Sequence, residues 1–204
     1  MTVAAPPPSS PIFPIVPLVE IAAPDFPVEI EIAYATANNI TGQPIYARPG
    51  CYLHPDAAEL LRRAIVLAAP LGYRLKIFDA YRPTEAQWRL WNAKPDPNFL
   101  ADPRRGSPHS RGVAVDVTLL DERGQELDMG TPFDFFSPLS HHGRTDVSLA
   151  AQRNRIVLIG LMSAAGWDFY RNEWWHYQLF DARRYALIDD GRATAAMMAP
   201  AGAA

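Results

Sequence analysis

A run of nine residues, GVAVDVTLL from Gly112 to Leu120, most constrains the fold of this chain, because it is an apolar strand with a carboxylate inside it. Side chains of an extended strand alternate between two faces, so Asp116 shares a face with Ala114 while the valines beside it point the other way. Burying a carboxylate among such neighbours is costly unless the group is paired or coordinates a cation. The sequence therefore predicts a core strand whose Asp116 meets a cationic partner or a metal ion.

Two histidines can complete a metal site with this aspartate. His109 lies seven positions before Asp116, across the short turn SRG, and His176 closes the segment EWWH. Each piece alone is also compatible with a structural core histidine and a solvated strand end. Together, two histidines and one carboxylate leave the fourth tetrahedral position open, which is typical of catalytic zinc. Glu173 lies three residues before His176, in a strand rather than in a helical zinc motif, and could then act as general base.

A third motif, DAYRP, places Arg82 just after the end of a predicted strand. A guanidinium fixed beside a cleft can stabilise the negative charge that develops on a carbonyl oxygen during hydrolysis. The alternative is a surface ion pair between Arg82 and Asp79. The motif alone leaves both interpretations open.

The composition restricts the class of protein. With 204 residues, 49% hydrophobic residues and a net charge of −3, the chain fits one compact domain and lacks the basic excess of a nucleic-acid-binding protein. Cys51 is the single cysteine, so an intrachain disulfide and a thiolate zinc cluster are excluded, and we expect a small buried apolar residue there. No apolar run approaches the ~20 residues of a membrane span. The N-terminal prolines and the absence of a basic residue before Arg48 do not match a secretory signal, so the sequence favours a cytoplasmic protein.

Predicted helices and strands alternate with hairpin-like turns, which favours an α+β fold with a central, mostly antiparallel sheet flanked by helices and a zinc site in a cleft on the sheet. We expect a proline-rich extended arm over residues 1–26, one domain over 27–190 and a flexible tail over 191–204. The predicted strands are Val28–Ala35, Arg74–Asp79, Gly112–Leu120 and Glu173–Phe180. The predicted helices begin near Pro55, Thr84 and Val147, and the first and last of them end near Pro70 and Gly166.

The segment SPHSRGVAVD resembles the S-x-H-x-x-G-x-A-x-D signature of the zinc D-alanyl-D-alanine dipeptidases, a family that includes the vancomycin-resistance dipeptidase and belongs with the D,D-carboxypeptidase-like peptidoglycan peptidases. The segments YATANNITGQPIY, DAYRP, DMGTPFDFF, AAQRNR and EWWHY are similar to that family in the same order, so the resemblance covers residues 28–180. It implies one Zn²⁺ per chain, bound by His109, Asp116 and His176. It also implies that Glu173 is the catalytic base and that Arg82 stabilises the transition state.

The resemblance implies substrate-binding residues as well. Asp134, in PFDFF, is expected to pair with the free ammonium of a dipeptide, and Ser107 and Tyr34 to help hold the substrate. An Asp134 carboxylate that binds an ammonium would reject longer peptides, because they have no free ammonium at this position. The alternative role for Asp134 is to cap a turn. Pro108 stands where the vancomycin-resistance enzyme has a serine, which removes a hydrogen-bond donor near the substrate. The remaining histidines are expected at a helix entry or in a loop, without a ligand role: His54, His141 and His142.

The function that the resemblance implies is zinc-dependent hydrolysis of the small dipeptide D-Ala-D-Ala to two D-alanines, for recycling or catabolism of cell-wall dipeptide or for glycopeptide resistance. The alternative is a D,D-carboxypeptidase or endopeptidase that acts on longer peptidoglycan peptides. The carboxylate of Asp134 makes this alternative less favourable. A non-catalytic zinc module that binds peptidoglycan or a protein has no use for Glu173 together with Arg82. No nucleic-acid or membrane partner is expected, and the sequence indicates no particular oligomeric state.

Overall fold

A five-stranded sheet forms the centre of the computed structural model, which describes residues 17–190 and 196–198. The strands, in chain order, are Val19–Glu20 (β1), Glu29–Ile30 (β2), Tyr52–Leu53 (β3), Arg74–Asp79 (β4), Ala114–Leu120 (β5), Asp168–Phe169 (β6) and His176–Gln178 (β7). The α-helices are Pro55–Ala68 (α1), Thr84–Ala93 (α2) and Leu149–Ala165 (α3). The sheet has the order β2–β4–β5–β7–β6, in which only β2 and β4 are parallel, and β1 and β3 form a separate antiparallel pair.

The core lies around β4 and β5, the two longest strands. All of β5 is buried, and so is all of β4 except Arg74. Helices α1 and α3 pack against each other and against these two strands. The buried side of α1 consists mostly of alanine, which allows the helix to approach its neighbours closely. The α+β class and the mostly antiparallel sheet predicted from the sequence are confirmed.

The helix boundaries follow from local sequence signals. His54 precedes α1, and its Nδ1 accepts a hydrogen bond from the backbone N–H of Asp56, so the expected helix-entry role is confirmed. Ser148 caps α3 in the same way through its hydroxyl. Gly166 ends α3 in the left-handed conformation that favours glycine.

Two predicted strands are shorter than the sequence pattern suggested. Within Val28–Ala35, only Glu29 and Ile30 pair with β4, because the parallel ladder stops where β4 becomes irregular after Ile77. The chain then enters a 3₁₀ turn, Ala33–Ala35. Within Glu173–Phe180, only the three residues of β7 form a ladder, with β5 and β6 as partners.

The described parts of the predicted arm and tail pack against the domain. Residues 17–26, which the sequence places in the arm, contain β1 and three buried apolar side chains, those of Leu18, Ile21 and Phe26. In the predicted tail, Met197 and Met198 are buried, and the carbonyl of Met197 accepts hydrogen bonds from two backbone N–H groups. Removing these apolar side chains from water favours this packing. The other residues of the predicted arm and tail, 1–16, 191–195 and 199–204, lie outside the described residues.

None of the helices in the described ranges combines the length and the apolar character that crossing a membrane requires.

Gly112 is held in a left-handed conformation (φ +68°) at a point where other groups approach its backbone closely. A Cβ added there would lie 2.8 Å from Leu18 Cδ2 and 3.1 Å from the backbone nitrogen of His54. Gly143 has a similar φ of +75°, with nothing within 4 Å of such a Cβ. A side chain at Gly112 would therefore meet both backbone strain and steric overlap, whereas one at Gly143 would meet backbone strain alone.

We expect Gly112→Ala to lower the free energy of unfolding by about 3 kcal/mol, because it adds overlap to backbone strain. Gly143→Ala carries the backbone strain alone and should cost about 1 kcal/mol. Urea denaturation of both variants beside the wild type measures the difference. Equal losses in the two variants would contradict the close approach at Gly112.

Candidate active site

Three neighbouring strands place site residues in one row across the sheet. Asp116 on β5 is the register partner of His176 on β7 and of Asp79 on β4. Side chains at paired positions of antiparallel strands lie on the same face. A register shift between Ile77 and Asp79 is needed for this row, since a regular ladder would bring Phe78 opposite Asp116. The irregularity thus turns the side chain of Asp79 towards the site, an effect that β-bulges commonly have.

His109 enters the row from a 3₁₀ turn, His109–Arg111, directly before β5. The hydroxyl of Ser107 accepts a hydrogen bond from the backbone N–H of His109 at 3.2 Å. The backbone N–H of Arg82 donates to the carbonyl of His109, also at 3.2 Å. Left-handed Gly112 then returns the chain to the sheet. The small residues of the motif therefore form the turn that carries His109 to Asp116.

His109, Asp116 and His176 form a buried cluster that could hold a metal ion. His109 Nε2 lies 3.0 Å from His176 Nδ1 and 3.3 Å from Asp116 Oδ1, and His176 Nδ1 lies 3.1 Å from the same oxygen. Ligands about 2.0–2.1 Å from a tetrahedral zinc ion are themselves roughly 3.3 Å apart. The three separations are close to this geometry.

The outer nitrogens of both imidazoles have acceptors. His109 Nδ1 lies 2.7 Å from the carbonyl oxygen of Ala80, and His176 Nε2 lies 3.1 Å from Gln178 Oε1. Protons on these outer nitrogens leave the lone pairs of His109 Nε2 and His176 Nδ1 directed at each other and at Asp116. Three lone-pair atoms so close together repel one another unless a cation lies between them. The donor set therefore fits a divalent metal ion with nitrogen and oxygen ligands.

Glu173 lies at the edge of this cluster, in the turn that precedes β7. Its side chain is buried, and its Oε2 is 3.8 Å from His176 Nδ1. Burial raises the pKa of Glu173 well above its usual range, and the negative charges of Asp116 and Asp134 raise it further. A carboxylate in this environment accepts a proton readily.

Arg82 is buried and held from three sides. Its Nε donates to Asp79 Oδ2 at 2.8 Å, its Nη1 to Gln87 Oε1 at 2.9 Å and its Nη2 to Asp116 Oδ2 at 3.3 Å. The ion pair with Asp79 exists, but it is buried, so the surface-pair alternative is wrong. Three of the five guanidinium N–H groups are engaged, which leaves two donors. The guanidinium is thereby fixed beside the metal cluster.

Asp134 and Tyr34 approach the cluster from two different loops. The hydroxyl of Tyr34 donates to both carboxylate oxygens of Asp134, at 2.9 and 3.2 Å. Asp134 has a left-handed backbone (φ +57°), which aspartate tolerates better than most residues. Burial raises the pKa of Asp134 to about 7, against the lowering effect of the positive charge of Arg82. Its side chain caps no turn among the described residues, and the hydroxyl of Tyr34 is its donor.

A cleft of about 670 Å³ connects these groups, within the size range of small-molecule sites. Its lining includes every site residue predicted from the sequence: Tyr34, Arg82, Ser107, His109, Asp116, Asp134, Glu173 and His176. Among the described residues, His141 and His142 belong neither to this lining nor to the metal cluster. Cys51 is a buried free thiol, also as expected.

Sequence reasoning missed two glutamines that orient the site. Gln178 accepts from His176, and the period of two along a strand, which places it on the same face, could have indicated it. Gln87 accepts from Arg82 and donates to the carbonyl of Ala101 at 2.8 Å. No sequence pattern indicates Gln87, because its contact with Arg82 depends on how α2 packs.

We expect Gln178→Met to weaken Zn²⁺ binding by roughly 10–100-fold, because the orienting acceptor of His176 is lost while side-chain length is retained. Competition with a chromophoric chelator measures this affinity. Gln125→Met, in an exposed turn, is the matched control and should bind Zn²⁺ as the wild type does. An unchanged affinity in the Gln178 variant would show that its contact with His176 does not support metal binding.

Comparisons with known proteins give matches over most of the chain. Residues 15–191 match the model of a peptidase family described as D-Ala-D-Ala dipeptidase. The D-alanyl-D-alanine dipeptidase of Escherichia coli (strain K12) is 46% identical over 173 residues, which cover 85% of this chain and 90% of that protein. The protein of the same name from Enterococcus faecalis (strain ATCC 700802 / V583) is 35% identical over 175 residues, covering 76% of this chain and 87% of that protein. The chain therefore belongs to the D-Ala-D-Ala dipeptidase family of peptidases.

Proposed function

We propose that this chain hydrolyses D-Ala-D-Ala to two D-alanines with one Zn²⁺ bound by His109, Asp116 and His176. The observation that carries the proposal is the convergence of three buried ligand atoms next to a buried glutamate, whose Oε2 lies 3.8 Å from His176 Nδ1. Membership of the dipeptidase family, over most of the chain, supports the choice of substrate. Recycling or catabolism of cell-wall dipeptide and glycopeptide resistance would both use this reaction.

The nitrogen and oxygen donor set favours zinc for the metal. Two imidazoles and one carboxylate supply three ligands and leave one position open, as in catalytic zinc sites. Bound there, Zn²⁺ would lower the pKa of a water molecule to about 7 and so supply a nucleophile at neutral pH. The sheet register and the two outer hydrogen bonds of the histidines hold the three ligands in place for it.

Glu173 is proposed as the general base. Its raised pKa and its position 3.8 Å from a ligand nitrogen suit a group that takes a proton from the attacking water. The same carboxyl group can then pass this proton to the departing amine. Arg82 is proposed to stabilise the oxyanion with its two remaining N–H donors, since its other three fix the guanidinium in the cleft.

Asp134 is proposed to bind the ammonium of the dipeptide. Its carboxylate is partly buried, has only the Tyr34 hydroxyl as donor among the described residues and faces the same cleft. A cation at this point favours the ionised carboxylate. Tyr34 orients Asp134, and Ser107, whose oxygen accepts from the His109 backbone, keeps its hydroxyl proton for the substrate.

Zinc-loaded Glu173→Gln should lose turnover of D-Ala-D-Ala by about 10²–10⁴-fold, because the amide cannot accept the proton. It should still bind one Zn²⁺ per chain, since Glu173 is not a ligand. D-alanine release and metal analysis on the same preparation test both points. Glu122→Gln, an exposed glutamate after β5, is the control and should be fully active. Near-normal turnover without Glu173 would refute its role.

The second candidate function is that of a D,D-carboxypeptidase or endopeptidase that acts on longer peptides. The cleft is large enough to be compatible with it. N-acetyl-D-Ala-D-Ala imitates such a substrate, because it lacks the ammonium. We expect the wild type to prefer the free dipeptide by about 100-fold or more in kcat/KM, since an unpaired, partly buried carboxylate rejects the neutral end.

Asp134→Asn should reduce this preference mainly through lower activity on the free dipeptide. The ratio of kcat/KM for the two substrates, in both proteins, is the measurement. Efficient hydrolysis of the acetylated substrate by the wild type would favour the carboxypeptidase alternative instead.

A further inference from the structure

A buried arginine on helix α3 lies outside the machinery proposed so far. Arg155 is only 4% exposed, and it is not part of the cleft lining. It belongs to the segment AAQRNR, and no residue of this segment takes part in the metal cluster, the proposed base or the proposed substrate contacts. The function proposed above therefore gives no reason for a buried cation at this point of the fold.

The guanidinium of this arginine holds both ends of one loop, residues 129–141, which we call the Asp134 loop because Asp134 lies near its middle. Its Nε donates to the carbonyl of Met129 at 2.7 Å. Its Nη1 donates to the carbonyls of Leu139 at 2.9 Å and His141 at 3.1 Å. Since the first acceptor begins the loop and the other two end it, one side chain closes the whole loop.

The Asp134 loop also packs against the turn that carries the proposed base. Trp174, the residue after Glu173, donates its indole Nε1–H to Thr131 Oγ1 at 2.8 Å and its backbone N–H to the carbonyl of Ser140 at 3.0 Å. Within the loop, Ser140 Oγ donates to the carbonyl of Phe135 at 2.5 Å. The closed loop is therefore one ordered unit at the side of the cleft.

Arg155 suits this position better than a neutral or a smaller donor would. Its three hydrogen bonds go to carbonyl oxygens, and hydrogen bonds from a charged donor are stronger than those between neutral groups. The planar guanidinium reaches acceptors at separate points, which the compact ammonium of lysine does not. The left-handed backbone of Asp134 (φ +57°) is a conformation that persists only where the surroundings hold it. Closure of the loop supplies such a constraint.

We propose that Arg155 is a positioning residue for Asp134. By closing the Asp134 loop, it holds this carboxylate at the point where the ammonium of the substrate binds, and so contributes to the selection of substrates with a free amino group. The inference rests on the proposed dipeptidase function and on the role proposed for Asp134. Arg155 touches no substrate and takes no part in proton transfer, so its effect on activity should disappear when residue 134 no longer binds an ammonium.

The experiment combines Arg155→Met with Asp134→Asn, singly and together, in the zinc-loaded full chain. Methionine keeps much of the length of the buried side chain and donates no hydrogen bond. We expect Arg155→Met to lower kcat/KM for D-Ala-D-Ala about ten-fold, mainly through a higher KM, because ammonium binding weakens in the ground state and the transition state alike. In the Asp134→Asn background, the same substitution should cost less than about two-fold. Activity on N-acetyl-D-Ala-D-Ala, which has no ammonium, should stay within about two-fold of the wild type.

Arg153→Met is the matched control, since Arg153 is exposed on the same helix, and it should leave both activities unchanged. Zn²⁺ affinity should equal that of the wild type in Arg155→Met, because Arg155 lies outside the metal cluster. Urea denaturation records any loss of stability separately. If Arg155→Met does not fold, Arg155→Lys takes its place in the same comparison. Lysine keeps the charge without the planar set of donors, so the preference for the free dipeptide should fall by a smaller factor.

Three outcomes would overturn the proposal. A loss of the same size in the Asp134→Asn background, or on the acetylated substrate, would show that Arg155 supports the fold or catalysis in general. An unchanged preference for the free dipeptide in the folded variant would show that Arg155 does not act on Asp134, and would leave the dipeptidase function intact. A wild type that hydrolyses neither substrate, or both equally well, would refute the dipeptidase function and this inference with it.

Discussion

The buried charge of Asp116 is the constraint on which the rest of the site depends. Its Oδ2 accepts from Arg82, and its Oδ1 lies beside the inner nitrogens of His109 and His176, with which it could share a metal ion. Without them, a carboxylate in a strand that is buried throughout would strongly oppose folding. The register of β5 with its two neighbours and the turn before it all bring partners to this one side chain.

A second layer of hydrogen bonds fixes those partners. Asp79 accepts from Arg82 and, at 3.0 Å, from the hydroxyl of Tyr46, while Gln87 joins Arg82 to the backbone of Ala101. Groups so constrained need little reorganisation when charge develops on a substrate, and this preorganisation is the main source of electrostatic stabilisation in enzymes. The loop at residue 101 also lines the cleft. One chain of contacts therefore runs from the sheet through Arg82 to the cleft wall.

The sequence could predict those parts of the structure that depend on local signals. The apolar run 112–120 predicts β5, and capping residues and glycines predict the helix ends. The motifs indicate five of the residues in the cleft lining, and the family resemblance implies three more, Tyr34, Ser107 and Asp134. It could not predict the register shift that turns Asp79 inward, because that shift depends on pairing between distant strands. The pattern of Val28–Ala35 overstated a strand for the same reason, since alternation does not reveal where the ladder partner ends.

Charge, rather than volume, is the property of this cleft that can restrict its substrates. A space of about 670 Å³ admits molecules larger than a dipeptide, so the walls alone would not exclude longer peptides. Asp134, partly buried, loses free energy if the group that covers it brings no positive charge, and this penalty acts against every acylated amine.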